Sequence, residues 1–91
     1  MNVPLHEAFE IKVSEQVKDF LEKKFNRQLA EEFYARIQKL KIAPETYGKP
    51  LKGKLAGAWE IRFEKRWRIL YGIDKQNKLV TITGIKHKDE F

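Results

Sequence analysis

The sequence predicts an α+β domain in which a helical hairpin packs on a mainly antiparallel four-stranded sheet, with the element order β-α-α-β-β-β. Two observations predict this class. Apolar residues recur every three or four positions over residues 15–41, as on one face of a helix, but alternate with polar residues at 59–63 and 67–73, as in half-buried strands. A chain of 91 residues fits one domain, which we expect to span residues 1–91.

The first elements are a strand and a helix. Residues 1–7 form a lead-in, and Ala8–Val13 alternates apolar with charged side chains, which predicts the first strand. Ser14 can accept a hydrogen bond from the next turn and so cap a helix. The apolar spacing that follows places this helix over residues 15–25.

A second helix follows almost at once, so the two form a hairpin. Asn26 can end the first helix and cap the second, which runs to about Lys41. It ends before Pro44, because proline disfavours helical geometry in the residue that precedes it. The connector Pro44–Ala58 is rich in glycine, proline and lysine. It is interpreted either as a mobile basic arm over a phosphate backbone or as a flexible solvated loop.

The two strands that follow the connector form a hairpin whose register can be predicted. Their apolar residues share one face only if a three-residue turn over 64–66 pairs Phe63 with Trp67. That register places Arg62 directly opposite Arg68. Like charges in this position are destabilising unless an anion lies between them, so the arginine pair is the first candidate for function.

The last strand is predicted at Leu79–His87. A four-residue turn at Asp74–Asn77 places Val80 and Ile82 on the core face. It leaves the alternate residues on the open face beside Arg62 and Arg68, namely Thr81, Thr83, Ile85 and His87. A five-residue turn would reverse the two faces. The predicted buried set is Phe9, Ile11, Phe20, Phe33, Ile37, Ile61, Ile69, Tyr71 and Ile82.

Composition excludes several classes of protein. The sequence has no cysteine and only two histidines, so neither a disulfide framework nor a cysteine metal site is possible, and no metal or cofactor is expected. No apolar run approaches the ~20 residues of a membrane span. The N-terminus lacks the pattern of a signal peptide. We therefore expect a cytoplasmic protein with no membrane partner.

The charge is concentrated in the second half of the chain. Residues 1–48 contain eight basic and eight acidic residues, whereas residues 49–91 contain eleven basic and five acidic residues. This asymmetry favours a nucleic-acid-binding face over an ordinary lysine-rich surface, which is the alternative. The candidate RNA-binding residues of the connector, the turn and the tail are Lys49, Lys52, Lys54, Lys65, Arg66 and Lys86.

These residue types suit RNA cleavage by internal transfer. In that reaction a 2′-hydroxyl attacks the adjacent phosphate, an acid and a base move protons, and cations stabilise the phosphorane. His87 can act as acid or base near neutral pH, and Arg62 and Arg68 can bind the phosphate with bidentate hydrogen bonds. In the alternative interpretation, His87 is a surface residue and the arginines pair with Glu60 or Glu64.

Four sequence segments together resemble a known family. They are LKG at 51–53, WEIRF at 59–63, WRILY at 67–71 and the closing HKDEF at 87–91. With the element order, these motifs are similar to those of the RelE/ParE superfamily, the toxins of toxin–antitoxin systems. The resemblance covers about residues 8–91 and implies a RelE-like fold.

The resemblance also implies roles for five residues. Arg68 matches the arginine that contacts the scissile phosphate, and Arg62 matches a second-strand position used in cleavage. His87 matches the tail histidine of the YafQ-like subgroup, a general acid or base, and Lys88 matches the basic residue after it. Phe91 occupies the tail aromatic position that stacks on a base. We take these five as the candidate catalytic residues.

Two positions depart from the RelE pattern. Glu60 stands where RelE has a basic residue, and a carboxylate there either repels phosphate or takes part in proton transfer. The tail also lacks the tyrosine of RelE.

The RelE branch implies a ribosome-dependent mRNA endoribonuclease that needs no metal and is neutralised by a small antitoxin protein. The ParE branch shares the fold but poisons DNA gyrase without nuclease chemistry. An inert RNA-binding or partner-binding domain of the same fold is the third possibility. We expect an acidic antitoxin segment to cover the open face near Arg62 and Arg68, and a short acidic reading frame beside the gene would support such a pair.

Overall fold

A computed structural model describes residues 8–90, and its elements follow the predicted order with two additions. The strands are β1 (Glu10–Val13), β2 (Lys49–Pro50), β3 (Trp59–Phe63), β4 (Trp67–Asp74) and β5 (Leu79–His87). The α-helices are α1 (Glu15–Lys24), α2 (Arg27–Ile37) and α3 (Pro44–Tyr47), with 3₁₀ turns at Gln38–Lys41, Gly53–Leu55 and Lys88–Glu90. The additions are β2 and α3, both within the segment predicted as a loop.

The two long helices begin at the predicted caps. The Ser14 hydroxyl accepts a hydrogen bond from the backbone N–H of Val17 at 3.3 Å. The Asn26 side chain accepts one from the N–H of Leu29 at 2.8 Å. Each bond satisfies an N–H group that has no partner within its own helix. The helical hairpin is therefore fixed by local sequence.

The sheet has five strands rather than the four predicted, in the order β1-β5-β4-β3-β2. The β1 strand runs parallel to β5, and the other neighbours are antiparallel. The fifth strand, β2, contains only Lys49 and Pro50, which pair with Glu60 and Trp59. A strand of two residues is too short to show alternation of apolar and polar side chains, so it could not be predicted from the sequence pattern. Pro44 also starts α3 as its first residue, a position that proline favours.

The predicted register of the β3–β4 hairpin is confirmed. Phe63 pairs with Trp67 and Arg62 pairs with Arg68 across the two strands. Glu64 begins the turn with a φ of 53°, which closes the chain within three residues. Trp67 and Arg62 accordingly lie on opposite faces of the sheet.

The prediction for the end of β5 is wrong because the strand contains a bulge. Tyr71 pairs with Ile82 but Leu70 pairs with Gly84, so Thr83 is an extra residue. Its hydroxyl lies 3.4 Å from the Leu70 carbonyl oxygen, to which it donates a hydrogen bond. Up to the bulge, Val80 and Ile82 face the core and Thr81 the open face, as predicted.

Beyond the bulge the two faces exchange. Ile85 pairs with Ile69 and His87 pairs with Trp67, so both lie on the helix-covered face rather than the open face. Lys86 pairs with Arg68 and takes the open-face position instead.

The core lies between the helices and one face of the sheet. It comprises Val17, Leu21, Phe25, Phe33, Ile37, Leu40, Ile61, Phe63, Ile69, Tyr71, Val80 and Ile82. Six of the nine predicted core residues are in this set, whereas Phe9, Ile11 and Phe20 are only partly buried against it. Among the described residues, no charged or polar side chain other than that of Tyr71 is buried.

Tyr71 fixes the connector to the sheet. Its hydroxyl donates a buried hydrogen bond to the Pro44 carbonyl at 2.6 Å, and burial raises its pKa to about 12. Gly48 passes so close that a side chain there would overlap the Tyr71 hydroxyl oxygen. Within residues 8–90, none of the helices has the length and apolar character that crossing a membrane requires.

Candidate nucleic-acid interface

Three basic residues lie side by side on the open face of the sheet. Arg62 of β3 pairs with Arg68 of β4, which pairs in turn with Lys86 of β5. Directly paired residues on neighbouring antiparallel strands project on the same face, with Cβ atoms roughly 5 Å apart. We call Arg62, Arg68 and Lys86 the basic row. Its mutual repulsion is relieved when an anion binds across it.

A carboxylate lies next to the basic row. Glu60 approaches Arg68, with 3.6 Å between its Oε1 and Nη1, and both side chains are mostly buried. Glu60 pairs across the strands with Lys49 on one side and Leu70 on the other. It therefore offsets part of the charge of one arginine, and an anion that binds Arg68 competes with it.

Arg36 of α2 reaches the same region from the helix layer, and no sequence motif selects it. Its Nε donates a hydrogen bond to the Arg62 backbone carbonyl at 3.0 Å. The β2 strand pairs only with Trp59 and Glu60, so this carbonyl lies on the part of the β3 edge beyond β2. A basic residue in the last turn of an amphipathic helix is common, so only the packing of α2 against β3 reveals this contact.

A groove beside the hairpin turn brings further predicted residues together. It is lined by Arg62, Glu64, Lys65, Trp67, Arg68 and Lys88. The backbone N–H of Lys88 donates to the Arg66 carbonyl at 2.7 Å, which ties the tail to the turn. Four of the six lining residues are basic. The groove thus joins Lys65 and Lys88 to two members of the basic row.

His87 lies at the strand end, on the other face from the basic row. Its ring packs edge-on against Trp67, with 5.2 Å between ring centroids. Its Nδ1 lies 3.3 Å from the backbone nitrogen of Asp89 and 3.4 Å from Oδ2 of the same residue. A neutral Nδ1 can accept from that N–H, and a protonated Nδ1 can pair with the carboxylate. Asp89 therefore offers a partner to both forms of the imidazole.

The remaining predicted residues are distributed differently. Lys49 lines a second groove with Arg36, Glu60 and Arg62. Lys52 and Lys54 are exposed in the connector and line neither groove, and Arg66 is exposed in the turn. Phe91 lies outside the described residues. The glycine within β5 was the sequence signal for the bulge, because an isolated glycine in a strand pattern indicates one.

The comparisons with known proteins agree with this fold. Residues 19–90 match the family model described as Phage derived protein Gp49-like (DUF891). The match covers most of the chain, which therefore belongs to the Gp49-like family. A search of curated proteins finds no match.

Solved toxin structures share the fold. The RelBE2 toxin–antitoxin complex from Mycobacterium tuberculosis matches at 28% identity with a TM-score of 0.75, over 89% of this chain and 99% of that chain. The archaeal RelE–RelB complex from Pyrococcus horikoshii matches at 18% identity with a TM-score of 0.71, over 92% and 99%. YafQ from Escherichia coli matches at 15% identity with a TM-score of 0.60, over 90% and 96%. The resemblance to the RelE/ParE superfamily is confirmed, and so is the α+β fold.

Proposed function

We propose that this protein is the toxin of a toxin–antitoxin pair and that it cleaves mRNA on the ribosome. The observation that carries the proposal is the basic row, three cations on adjacent strands with one nearby carboxylate. Like charges held this close are costly in the free protein, and a phosphate backbone removes the cost by binding there. The toxins of the similar complexes provide the second support.

The chemistry assigned to the site is metal-independent internal transfer. The 2′-oxygen forms a bond to the adjacent phosphorus as its proton leaves to a base. The bond from phosphorus to the 5′-oxygen breaks as an acid protonates that oxygen, which gives a 2′,3′-cyclic phosphate and a free 5′-hydroxyl. Arg62 and Arg68 bind the scissile phosphate and stabilise the charge that develops on the phosphorane. Lys88 adds a third cation from the groove beside the turn.

His87 is the proposed proton-transfer residue. It is half-buried at the end of β5 and directly precedes Lys88, which lines the groove with both arginines. Asp89 can stabilise the imidazole in either protonation state, as a residue that alternates between acid and base requires. Phe91 is proposed to stack on a base of the codon, as the resemblance implies.

The test is primer-extension mapping of cut sites in mRNA on programmed ribosomes. Arg68→Ala should lower the cleavage rate by about 10²–10³, the usual loss for one preorganised donor to the transition state. His87→Ala should lower it by about 10²–10⁴, the range for general acid–base catalysis. Arg27→Ala is the matched control, because Arg27 is exposed on α2 and pairs with Glu31 away from the basic row. If the His87→Ala protein cuts mRNA at the wild-type rate, the assignment of His87 is wrong.

A second candidate function is inhibition of DNA gyrase without nuclease activity. The observation that favours it is the bulge at Thr83, which turns His87 away from the face of the arginines. A supercoiling assay run beside the mRNA assay separates the two. Intact mRNA with inhibited gyrase would support the second candidate, and intact mRNA with active gyrase would support an inert binding domain.

The proposed partner is an antitoxin with an acidic segment that covers the basic row. Carboxylates placed against Arg62 and Arg68 would relieve the same repulsion that a phosphate relieves. Because such association is steered by charge, its rate should fall as the salt concentration rises. An antitoxin whose binding is unaffected by reversing the charge of Arg62 would contradict this proposal.

A further inference from the structure

The groove at the outer edge of β3 combines an exposed aromatic ring with basic side chains. Its lining is Arg36, Tyr47, Gly48, Lys49, Glu60 and Arg62. We propose that this groove is a second nucleotide subsite, in which Tyr47 stacks on a base of single-stranded RNA while Arg36 and Arg62 bind a phosphate. The inference rests on the proposed function, because it extends the path of the same RNA beyond the basic row.

Tyr47 has the exposure that stacking requires. It is the last residue of α3, and 48% of its surface is accessible. The Lys39 ammonium lies 5.4 Å from the ring centroid, a cation–π contact that adds positive charge beside the ring. An exposed aromatic ring among basic residues is the combination that binds single-stranded RNA, because the ring stacks on a base while the cations follow the backbone.

The connector holds Tyr47 in a fixed position relative to β3. Three residues earlier, the Pro44 carbonyl accepts the buried hydrogen bond of Tyr71 at 2.6 Å. On the other side, Gly48 packs against Tyr71 and Lys49 pairs with Glu60 of β3. The backbone that carries Tyr47 is therefore anchored from both directions along the chain. A side chain on an ordered backbone loses less conformational entropy when a ligand binds.

The arginines of the groove are arranged to share a phosphate. Arg36 uses its Nε to donate to the Arg62 carbonyl at 3.0 Å, which is one of the five N–H donors of a guanidinium. This bond ties Arg36 to the Arg62 backbone, and both residues line the groove. Glu60 also lines the groove, but its carboxylate lies 3.6 Å from Arg68, which offsets its charge. Arg62 belongs to both the groove and the basic row, so RNA bound at the row reaches the groove directly.

The experiment measures RNA binding apart from cleavage. The probe is a fluorescein-labelled single-stranded oligoribonucleotide with 2′-O-methyl sugars, which lacks the attacking hydroxyl, and the readout is fluorescence anisotropy. Tyr47→Ala should weaken binding by roughly 5- to 150-fold, the loss expected for one base–aromatic stack. Tyr47→Trp should retain binding. Tyr34→Ala is the matched control, because Tyr34 is 41% exposed but lines the cleft between α1 and α2 instead.

Abasic probes distinguish stacking from a structural role for Tyr47. Bases are removed one position at a time from the same oligonucleotide. At one position of the oligonucleotide, removal of the base should abolish the difference in binding affinity between wild type and Tyr47→Ala. At that position the loss caused by Arg36→Gln should persist, because Arg36 binds phosphate. Thermal unfolding followed by circular dichroism checks that Tyr47→Ala and Arg36→Gln remain folded.

The outcomes separate this inference from the proposed function. If Tyr47→Ala binds the probe as tightly as wild type, the subsite does not exist, whether or not the wild type cleaves mRNA. The same conclusion follows if its binding loss is equal with every abasic probe. If the Tyr47-dependent stack is found while the wild type leaves mRNA intact, the subsite stands and the nuclease proposal fails.

Discussion

The helix-covered face of the sheet carries Phe63, Ile69 and Tyr71, each at most 2% exposed. On the open face, Arg62 directly precedes Phe63 in β3 and Arg68 directly precedes Ile69 in β4. One face buries apolar area and so supplies folding free energy, at about 25 cal/mol for each Å² removed from water. The open face instead holds neighbouring cationic side chains that repel one another. Stability and binding are therefore carried by opposite sides of one hairpin, so single substitutions should change them separately.

The largest expected effect is on the buried side. Phe33→Ala should lower the free energy of unfolding by about 3–5 kcal/mol, because Phe33 is 0% exposed and its removal leaves a cavity. Urea denaturation measures the change. Glu32→Ala, at the exposed neighbouring position of α2, should stay within about 0.5 kcal/mol of wild type. Equal losses in the two variants would contradict the assignment of the core.

The next largest effect is expected where the connector packs against the sheet, at the contact between Gly48 and Tyr71. Gly48→Ala should cost about 1–3 kcal/mol of unfolding free energy, because the new methyl group would overlap the Tyr71 hydroxyl and lie 2.8 Å from the Glu60 carbonyl oxygen. Gly72→Ala is the control, because nothing lies within 4 Å of a side chain at that position of β4. The denaturant midpoints of the two variants, compared with that of wild type, measure the loss of stability. If Gly72→Ala loses as much as Gly48→Ala, the close packing of the connector is not the cause.

A smaller effect on stability is expected from loss of the hydrogen bond between the Tyr71 hydroxyl and the Pro44 carbonyl. Tyr71→Phe should cost about 1–2 kcal/mol at neutral pH, because the buried Pro44 carbonyl loses its donor. Burial raises the folded-state pKa of Tyr71 from 10.0 to about 12. A raised pKa stabilises the fold below the unfolded value and loses that contribution as pH rises through the folded one. The stability gap between wild type and Tyr71→Phe should therefore narrow between pH 10 and 12, and a constant gap would contradict the burial of the phenol.

The smallest stability effect is expected on the open face. Arg62→Ala should change the free energy of unfolding by less than about 0.5 kcal/mol, because the side chain is exposed and its loss relieves repulsion with Arg68. It should instead lower the salt dependence of RNA binding, with a decrease of about 0.7 in the log–log slope for one lost phosphate contact. Anisotropy titrations at several salt concentrations measure this slope. Arg27→Ala should leave it unchanged, and an unchanged slope in Arg62→Ala would remove Arg62 from the interface.

Some features of the fold could be predicted from the sequence because they depend on near neighbours. Ser14 and Asn26 cap helices through hydrogen bonds that reach only three residues ahead. The β3–β4 register follows from the length of one turn and the alternation on either side of it. The opposition of Arg62 and Arg68 was therefore available from residue order alone. Motifs in the same stretch carried the family resemblance.

The position of His87 shows where such reasoning stops. Alternation assigns side chains to the two faces of the sheet only while each residue pairs with one residue of the neighbouring strand. Thr83 has no such pair. An isolated glycine in a strand pattern is typical of a bulge, but Gly84 alone does not identify which neighbouring residue is unpaired. Pairing with Leu70 decides that, and it exchanges Lys86 and His87 between the two faces.

The helix caps, the hairpin register and the concentration of positive charge after residue 48 all follow from residue types and short spacings, so the amino-acid sequence is enough to specify them. The side chains that meet at the interface are brought together by tertiary packing. Arg36 reaches Arg62 across 26 positions of the chain, and Tyr71 holds Pro44 across 27. Such contacts depend on how α2 and the connector pack against β3 and β4, and that packing is a property of the whole core rather than of any local pattern.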